Sequence, residues 1–322
     1  MLSGVIAQFY FLLQIVAPVF VVMARGYLMR KIGILSSEAD RSLTQLVVAL
    51  LAPCLALDTI IGNGAFANPA NWILPPVLGF ASIVLGIAIS RLGAKLFAIP
   101  EGGARRTFVF TTSLHNYGYI PLPLCHALFD RDTMGVLFAF YLGVELAFWS
   151  IALAQLTGHS ELGSWRRAVN PPIVAIPTAI LLNAVGAKSW IPASIETTIH
   201  LLAVCAIPLA LLLSGALIAD HINKESLRHG SRTIFASTAV RIGLLPALIL
   251  LFTKIAPLDV ALKSVLVIQA AMPAAIFPIV VTRAHHGDMP TALQVVLGTS
   301  LLGLITIPLW IGFGLHWIIP GR

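Results

Sequence analysis

His115-Asn116-Tyr117-Gly118-Tyr119-Ile120-Pro121-Leu122-Pro123 lies near the middle of residues 107–129, a stretch without Asp, Glu, Lys or Arg. A charge-free run of about 18 or more residues is long enough to cross the ~30 Å hydrocarbon core of a bilayer as a helix. This run, however, places two prolines and a glycine where a spanning helix should be most regular. Proline lacks the N–H that bonds back four residues, and its ring clashes with that carbonyl. Pro121 and Pro123 therefore release the carbonyls of Tyr117 and Tyr119, and Gly118 adds the freedom to unwind. Irregular backbone survives at membrane depth only where protein buries it or where it lines a wet cavity. The competing reading is that the prolines merely kink a packed helix.

The rest of the chain fits a bilayer. Of 322 residues, 58% are hydrophobic and 10% charged, against roughly 45–50% and about 25% in soluble domains. Residues 1–24, 168–187, 197–219, 264–282 and 289–321 also lack charges, and between Ser42 and Ser90 the only charge is Asp58. This composition excludes a disordered chain, a secreted disulfide scaffold and a soluble enzyme. Cys54, Cys125 and Cys205 sit in apolar stretches without metal-ligand spacing and read as small core hydrophobes. The first basic residue, Arg25, follows the first apolar run, whereas a cleaved signal peptide carries its charge ahead of a shorter one. The first segment is expected to remain as a helix.

Apolar length and breaker clusters predict ten spans, near 4–29, 41–62, 72–97, 104–129, 133–157, 168–187, 194–220, 232–254, 261–284 and 289–318. Lys and Arg gather in cytoplasmic connections. One side holds fourteen: Arg25, Arg30, Lys31, Arg41, Arg91, Lys95, Arg105, Arg106, Arg166, Arg167, Lys224, Arg228, Arg232 and Arg283. The other holds five: Arg131, Lys188, Lys254, Lys263 and Arg322. The expectation is a multi-pass protein of the cytoplasmic (inner) membrane with both termini outside. The formal charge of +7 is explained by this topology, and no nucleic-acid partner is expected.

The two halves echo each other. Leu51-Ala52-Pro53-Cys54-Leu55-Ala56-Leu57 resembles Ala206-Ile207-Pro208-Leu209-Ala210-Leu211-Leu212, and the same offset carries Pro123 onto Pro278. Ala17-Pro18-Val19-Phe20 maps near Pro171-Pro172-Ile173-Val174, one residue out of step. A five-helix unit duplicated must enter from opposite sides, because five is odd. The predicted fold is all-α integral membrane: ten transmembrane helices as two inverted five-helix repeats, residues 1–160 and 161–322, forming one membrane domain. The ninth span has its own break at Gln269-Ala270-Ala271-Met272-Pro273 and Pro278, which releases the carbonyls of Gln269 and Ala274. Breaks at matching positions of inverted repeats should cross at mid-depth, the plan of many secondary transporters. Half-helices starting after Pro123 and Pro278 would offer free N–H groups and positive dipole ends to a small anion, most simply a carboxylate.

Two ionisable residues lie near the middle of spans, Glu145 in the fifth and Arg241 in the eighth, and such residues are functional candidates. Glu145 reads either as a protonatable group beside a substrate cavity or as half of an ion pair, with Arg241 the partner across the repeats. Arg241 reads as electrostatic or structural. Asn116 can satisfy freed backbone or bond a substrate. His115 and His126 flank the break and read first as packed neutral imidazoles, and Asp58 as a cap or water-facing group. His285-His286 lacks a third ligand, so no metal is expected, and no cofactor. His-Glu-x-x-His, Gly-x-Ser-x-Gly and Gly-x-x-x-x-Gly-Lys motifs are missing, so the chain does not read as an enzyme.

These residues resemble the auxin efflux carrier family, which includes bacterial carriers often assigned to malonate, malate and related acids. The resemblance covers essentially the whole chain. It is most specific at Asn116-Tyr117-Gly118-Tyr119-Ile120-Pro121-Leu122-Pro123-Leu124, at Gln269-Ala270-Ala271-Met272-Pro273-Ala274-Ala275-Ile276-Phe277-Pro278, and at Pro18-Val19-Phe20 with Gly26-Tyr27. Pro121 stands where the family usually has Gly, and Asp130 where Gly often ends the helix. The resemblance implies crossing fourth and ninth helices, an anion site at the crossing, and an elevator-like movement against a scaffold. It also places Glu145 at a polar site position of the fifth helix, where plant members carry an amide, and Ala56 where they carry a hydroxyl.

The expected activity is secondary transport of a small mono- or dicarboxylate, such as malonate, malate or an auxin-like acid. The expected substrate-binding residues are Asn116, Tyr117, Gly118, Tyr119, Pro123, Leu124, Glu145, Gln269, Met272, Pro273, Ile276, Pro278 and Ile279, with Glu145 the coupling candidate. Further partners are membrane lipid, a second copy in a homodimer, and a coupling proton or sodium ion. The rival readings are a cation/proton antiporter of related crossed-helix fold and a membrane-embedded enzyme.

Overall fold

The computed structural model describes residues 2–158, 170–221 and 230–319. Arg166, Arg167, Lys224, Arg228 and Arg322, which contribute to the charge count above, lie outside the described residues. The described residues form helices joined by short turns. In chain order these are α1 (Leu2–Lys31), α2 (Ala39–Ile60), α3 (Ala70–Leu96), α4 (Gly103–Ser113), α5 (Pro121–Leu128), α6 (Arg131–Thr157), α7 (Pro171–Ala184), α8 (Ala193–His221), α9 (Ser231–Ile255), α10 (Val260–Ala270), α11 (Phe277–Ala284) and α12 (Met289–Ile318). Seven of them, α1, α2, α3, α6, α8, α9 and α12, are long and apolar enough to cross a membrane. Large apolar side chains such as Leu96, Ile255 and Leu301 stand more than 70% exposed, which suits a lipid solvent rather than water.

The fourth and ninth apolar runs are each split, α4 from α5 and α10 from α11. Wide π turns interrupt three other helices, at Val47–Leu51 in α2, Phe148–Ala152 in α6 and Ala239–Leu244 in α9. Two of them precede a proline, Pro53 and Pro246, whose missing N–H would otherwise orphan a carbonyl four residues back. At Pro246 that carbonyl is Ile242, and the Trp310 indole N–H donates to it at 2.6 Å. Two of the three departures from α-geometry thus adjoin a proline, and a side chain from α12 covers the gap in α9.

The helices sort into two clusters by packing. One holds α1, α2, α7 and α8; the other holds α3, α4, α6, α9, α10 and α12, with α5 and α11 packed chiefly against it. Close crossings knit each cluster, and both use glycine where backbones touch. A Cβ on Gly215 of α8 would lie 1.8 Å from the Met23 carbonyl oxygen of α1, and one on Gly143 of α6 would lie 1.8 Å from that of Pro76 in α3. Any side chain there would force the helices apart. Between the clusters the seam runs chiefly along α1 with α12 and α2 with α6.

Candidate functional site

The two breaks meet. Asn116 N–H donates to the Pro273 carbonyl at 2.8 Å, and Ala275 N–H donates to the Leu114 carbonyl at 2.8 Å. These two bonds make an antiparallel bridge between His115 and Ala274. Backbone left unpaired where one helix breaks is therefore satisfied by backbone left unpaired where the other breaks, as burial demands. Gln269 adds to this, since its Nε2 donates to the freed Tyr117 carbonyl at 3.0 Å. Thr299 of α12 accepts from Ala274 N–H at 3.2 Å through Oγ1.

The half-helices begin three and two residues earlier than the sequence suggests. α5 starts at Pro121 and α11 at Phe277, because proline's fixed φ and missing N–H suit the first helical turn. The expectation of free amides after Pro123 is corrected accordingly. Pro121 and Pro123 have no N–H, Leu122 N–H bonds the Gly118 carbonyl at 3.0 Å, and Asn116 Oδ1 caps Ile120 N–H at 3.3 Å. The amides left without an acceptor among the described residues include those of Tyr117, Gly118 and Tyr119 at the first break and of Ile276 and Phe277 at the second. Asn116 thus serves the backbone through its oxygen and leaves its Nδ2 without an acceptor among the described residues.

Glu145, 7% exposed on α6, faces the first break. Its Oε1 accepts from the Tyr117 hydroxyl at 2.8 Å, and its Oε2 accepts from Trp149 Nε1 at 2.9 Å and Asn170 Nδ2 at 3.1 Å. These donors are all neutral. The ion pair with Arg241 considered from sequence does not form. Asn170 caps α7 through its Oδ1, which accepts from Ile173 N–H at 3.0 Å, so its link to Glu145 ties the two helix clusters together. Sequence reading missed Asn170, although Asn before Pro171-Pro172 is a recognisable helix start. The Tyr117 and Tyr141 rings pack at 4.8 Å between centroids and wall the carboxylate in.

Arg241 sits in the π turn of α9, 1% exposed, with Nε and Nη2 unpartnered among the described residues. That turn packs against α4, the helix leading into the first break. A buried guanidinium without a carboxylate is costly. His115 is likewise buried, its ring beside Tyr117 and Phe140 at 6.2 and 6.1 Å.

The remaining expected residues divide. Pro123 lines a cavity of about 880 Å³ that opens between the two clusters and is walled by Leu55 and Asp58 of α2, His126 of α5, Arg131 of α6, and His200 and Pro208 of α8. Met272 and Ile279 are fully buried and Ile276 nearly so, and none of the three lines that cavity. Pro273 supplies its carbonyl to the bridge, Pro278 sits in the first turn of α11, and Leu124 is buried in α5. Asp58 faces His200, with Oδ2 3.2 Å from Nδ1. Asp130, where relatives end a helix with Gly, caps α6 by accepting from Thr133 N–H at 2.9 Å.

Comparison with known proteins points to membrane transport. An uncharacterized transporter of Methanothermobacter thermautotrophicus is 22% identical over 92% of this chain and 96% of its own length. An uncharacterized transporter of Methanocaldococcus jannaschii is 22% identical over 92% of this chain and 97% of its own. The profile of the membrane transport protein family matches residues 11–164 and 159–311. The chain is a multi-pass membrane transporter and belongs to the membrane transport protein family, that of the auxin efflux carriers.

Proposed function

We propose that this protein is a secondary active transporter of a small organic anion, a mono- or dicarboxylate such as malonate, malate or an auxin-like acid, across the cytoplasmic membrane. The observation that carries the reading is the bridge between two broken helices, which leaves amides including those of Tyr117, Gly118, Tyr119, Ile276 and Phe277 free. Preorganised backbone donors at a helix start suit a carboxylate. The unpaired charge of Arg241 supports an anion over a cation, since a negative solute near the crossing would offset it. Asn116 Nδ2 and the Tyr117–Tyr119 amides hold the carboxylate, and Glu145 couples or tunes transport by taking a proton.

The proposed framework is ten spans, counting α4 with α5 and α10 with α11 as one each. Residues 1–160 and 161–322 form inverted repeats with both termini outside. The two-cluster packing supports an elevator-like cycle, in which the cluster carrying the breaks slides along the α1–α12 and α2–α6 seam. Uptake of labelled carboxylates into proteoliposomes tests the proposal. Saturable flux in the wild type that collapses in Asn116→Ala supports it, and unchanged saturable flux in that variant defeats the site assignment.

One observation favours a second reading. Glu145 is the one buried carboxylate among the described residues, and a cation/proton antiporter needs an acid beside its crossing. Sodium-driven proton flux without any organic anion would select that reading.

A further inference from the structure

A second cavity, of about 400 Å³, lies away from the crossing and is lined by Arg91 and Lys95 of α3, Glu101 and Gly102 of the turn that follows, Arg105 and Arg106 of α4, and Gln155 of α6. Four cations face one carboxylate. Glu101 is engaged by Arg105 at 2.8 Å, and Arg91 spends Nε and Nη2 on the neutral Gln155 Oε1 at 2.9 and 2.5 Å. Lys95 and Arg106 have no ion-pair partner among the described residues. Membrane topology asks for basic residues on this side, yet it does not ask them to converge.

Their placement also breaks local rules. Arg91 and Lys95 are like charges at i and i+4 on one helix, a repulsive spacing. Arg105 and Arg106 occupy the first turn of α4, where the helix dipole disfavours cations, and that turn has neither an acidic residue nor a side-chain cap. Gly102, at φ +87, precedes it with open space where a Cβ would stand, as does Gly103. Every one of these costs is reversed by an anion seated among the four cations at the uncapped amides. Leu92 and Leu96, next in sequence to Arg91 and Lys95, are 50% and 73% exposed, so an apolar, lipid-facing surface adjoins the cavity.

We propose that this cavity binds the phosphodiester headgroup of an anionic phospholipid of the inner leaflet, with Arg91, Lys95 and Arg106 as the phosphate ligands and the acyl chains along Leu92 and Leu96. Basic pockets between spans on the cytoplasmic side are suited to such headgroups. The test is native mass spectrometry of the full chain, released from detergent after incubation with phosphatidylglycerol, phosphatidylcholine or inorganic phosphate. The wild type should retain phosphatidylglycerol at least tenfold over phosphatidylcholine, and the Arg91→Gln/Lys95→Gln/Arg106→Gln variant should retain the two alike. Equal retention by the wild type, or an unchanged preference in the variant, overturns the proposal. Displacement of phosphatidylglycerol by millimolar inorganic phosphate would make this a free-phosphate site and overturn the lipid assignment. Should the triple variant fail to fold, Lys95→Gln alone should lower the preference at least threefold and rising salt should erode it in the wild type. A preference indifferent to both overturns the proposal equally.

Discussion

The two breaks occupy matching places yet are chemically unlike. The first reads His115-Asn116-Tyr117-Gly118-Tyr119, whereas the second reads Ala271-Met272-Pro273-Ala274-Ala275-Ile276. At the first, side chains reach outward: Tyr117 to Glu145, and Asn116 to the start of α5. At the second, the side chains pack, Met272 and Ala274 being fully buried, and the backbone does the bonding. Gln269 belongs to the second helix yet serves the first break by holding the Tyr117 carbonyl. The difference teaches that a paired structural device does not divide its chemistry evenly. On the proposed function, recognition falls to the first break and support to the second.

This asymmetry can be broken by substitution. The largest effect is expected at Asn116→Ala, which removes both the cap on Ile120 and the free Nδ2. Loss of a charge-assisted hydrogen bond of about 1.5–3 kcal/mol predicts a fall of roughly ten- to a hundredfold in carboxylate uptake efficiency, since about 1.4 kcal/mol is tenfold. Met272→Leu, in the supporting break, conserves volume and should change uptake less than about threefold. Equal losses in the two variants would erase the distinction drawn here.

Gln269→Leu comes next. It strands the buried Tyr117 carbonyl at a cost of about 1–3 kcal/mol, read as a lower melting temperature of the purified protein together with slower uptake. An unchanged melting temperature would show that the second helix does not support the first break.

Glu145→Gln is expected to leave binding largely intact, because the amide is isosteric, while flattening the dependence of uptake on external pH. A retained wild-type pH profile removes Glu145 from proton coupling. The smallest effect belongs to Thr299→Val, which takes one acceptor from Ala274 N–H and should cost about 1 kcal/mol of stability with uptake per folded molecule unchanged.

Much of this was legible in the sequence because membrane helices are written in charge-free length. The last span was expected over 289–318 and α12 runs Met289–Ile318; the third was expected over 72–97 and α3 runs Ala70–Leu96. The breaks were legible because proline acts locally. Their restart was not, since Pro121 can either interrupt a helix or open one, and the Asn116 contact to Ile120 N–H that accompanies the restart forms only once the chain turns back. Glu145 was legible as unusual but its partners were not. Trp149 lies one turn along α6, while Tyr117 and Asn170 arrive from other helices. The large cavity escaped notice because its walls, from Leu55 to Pro208, come together only when the clusters pack.

Amide hydrogen exchange at the two breaks, with and without a small carboxylate, tests the central claim most directly. The account predicts that malonate slows exchange at Tyr117, Gly118, Tyr119 and Ile276 and leaves Asn116 and Ala275, already bonded across the bridge, unchanged. Slowing confined to the cavity walls around His126 and His200, with residues 117–119 unaffected, would contradict it.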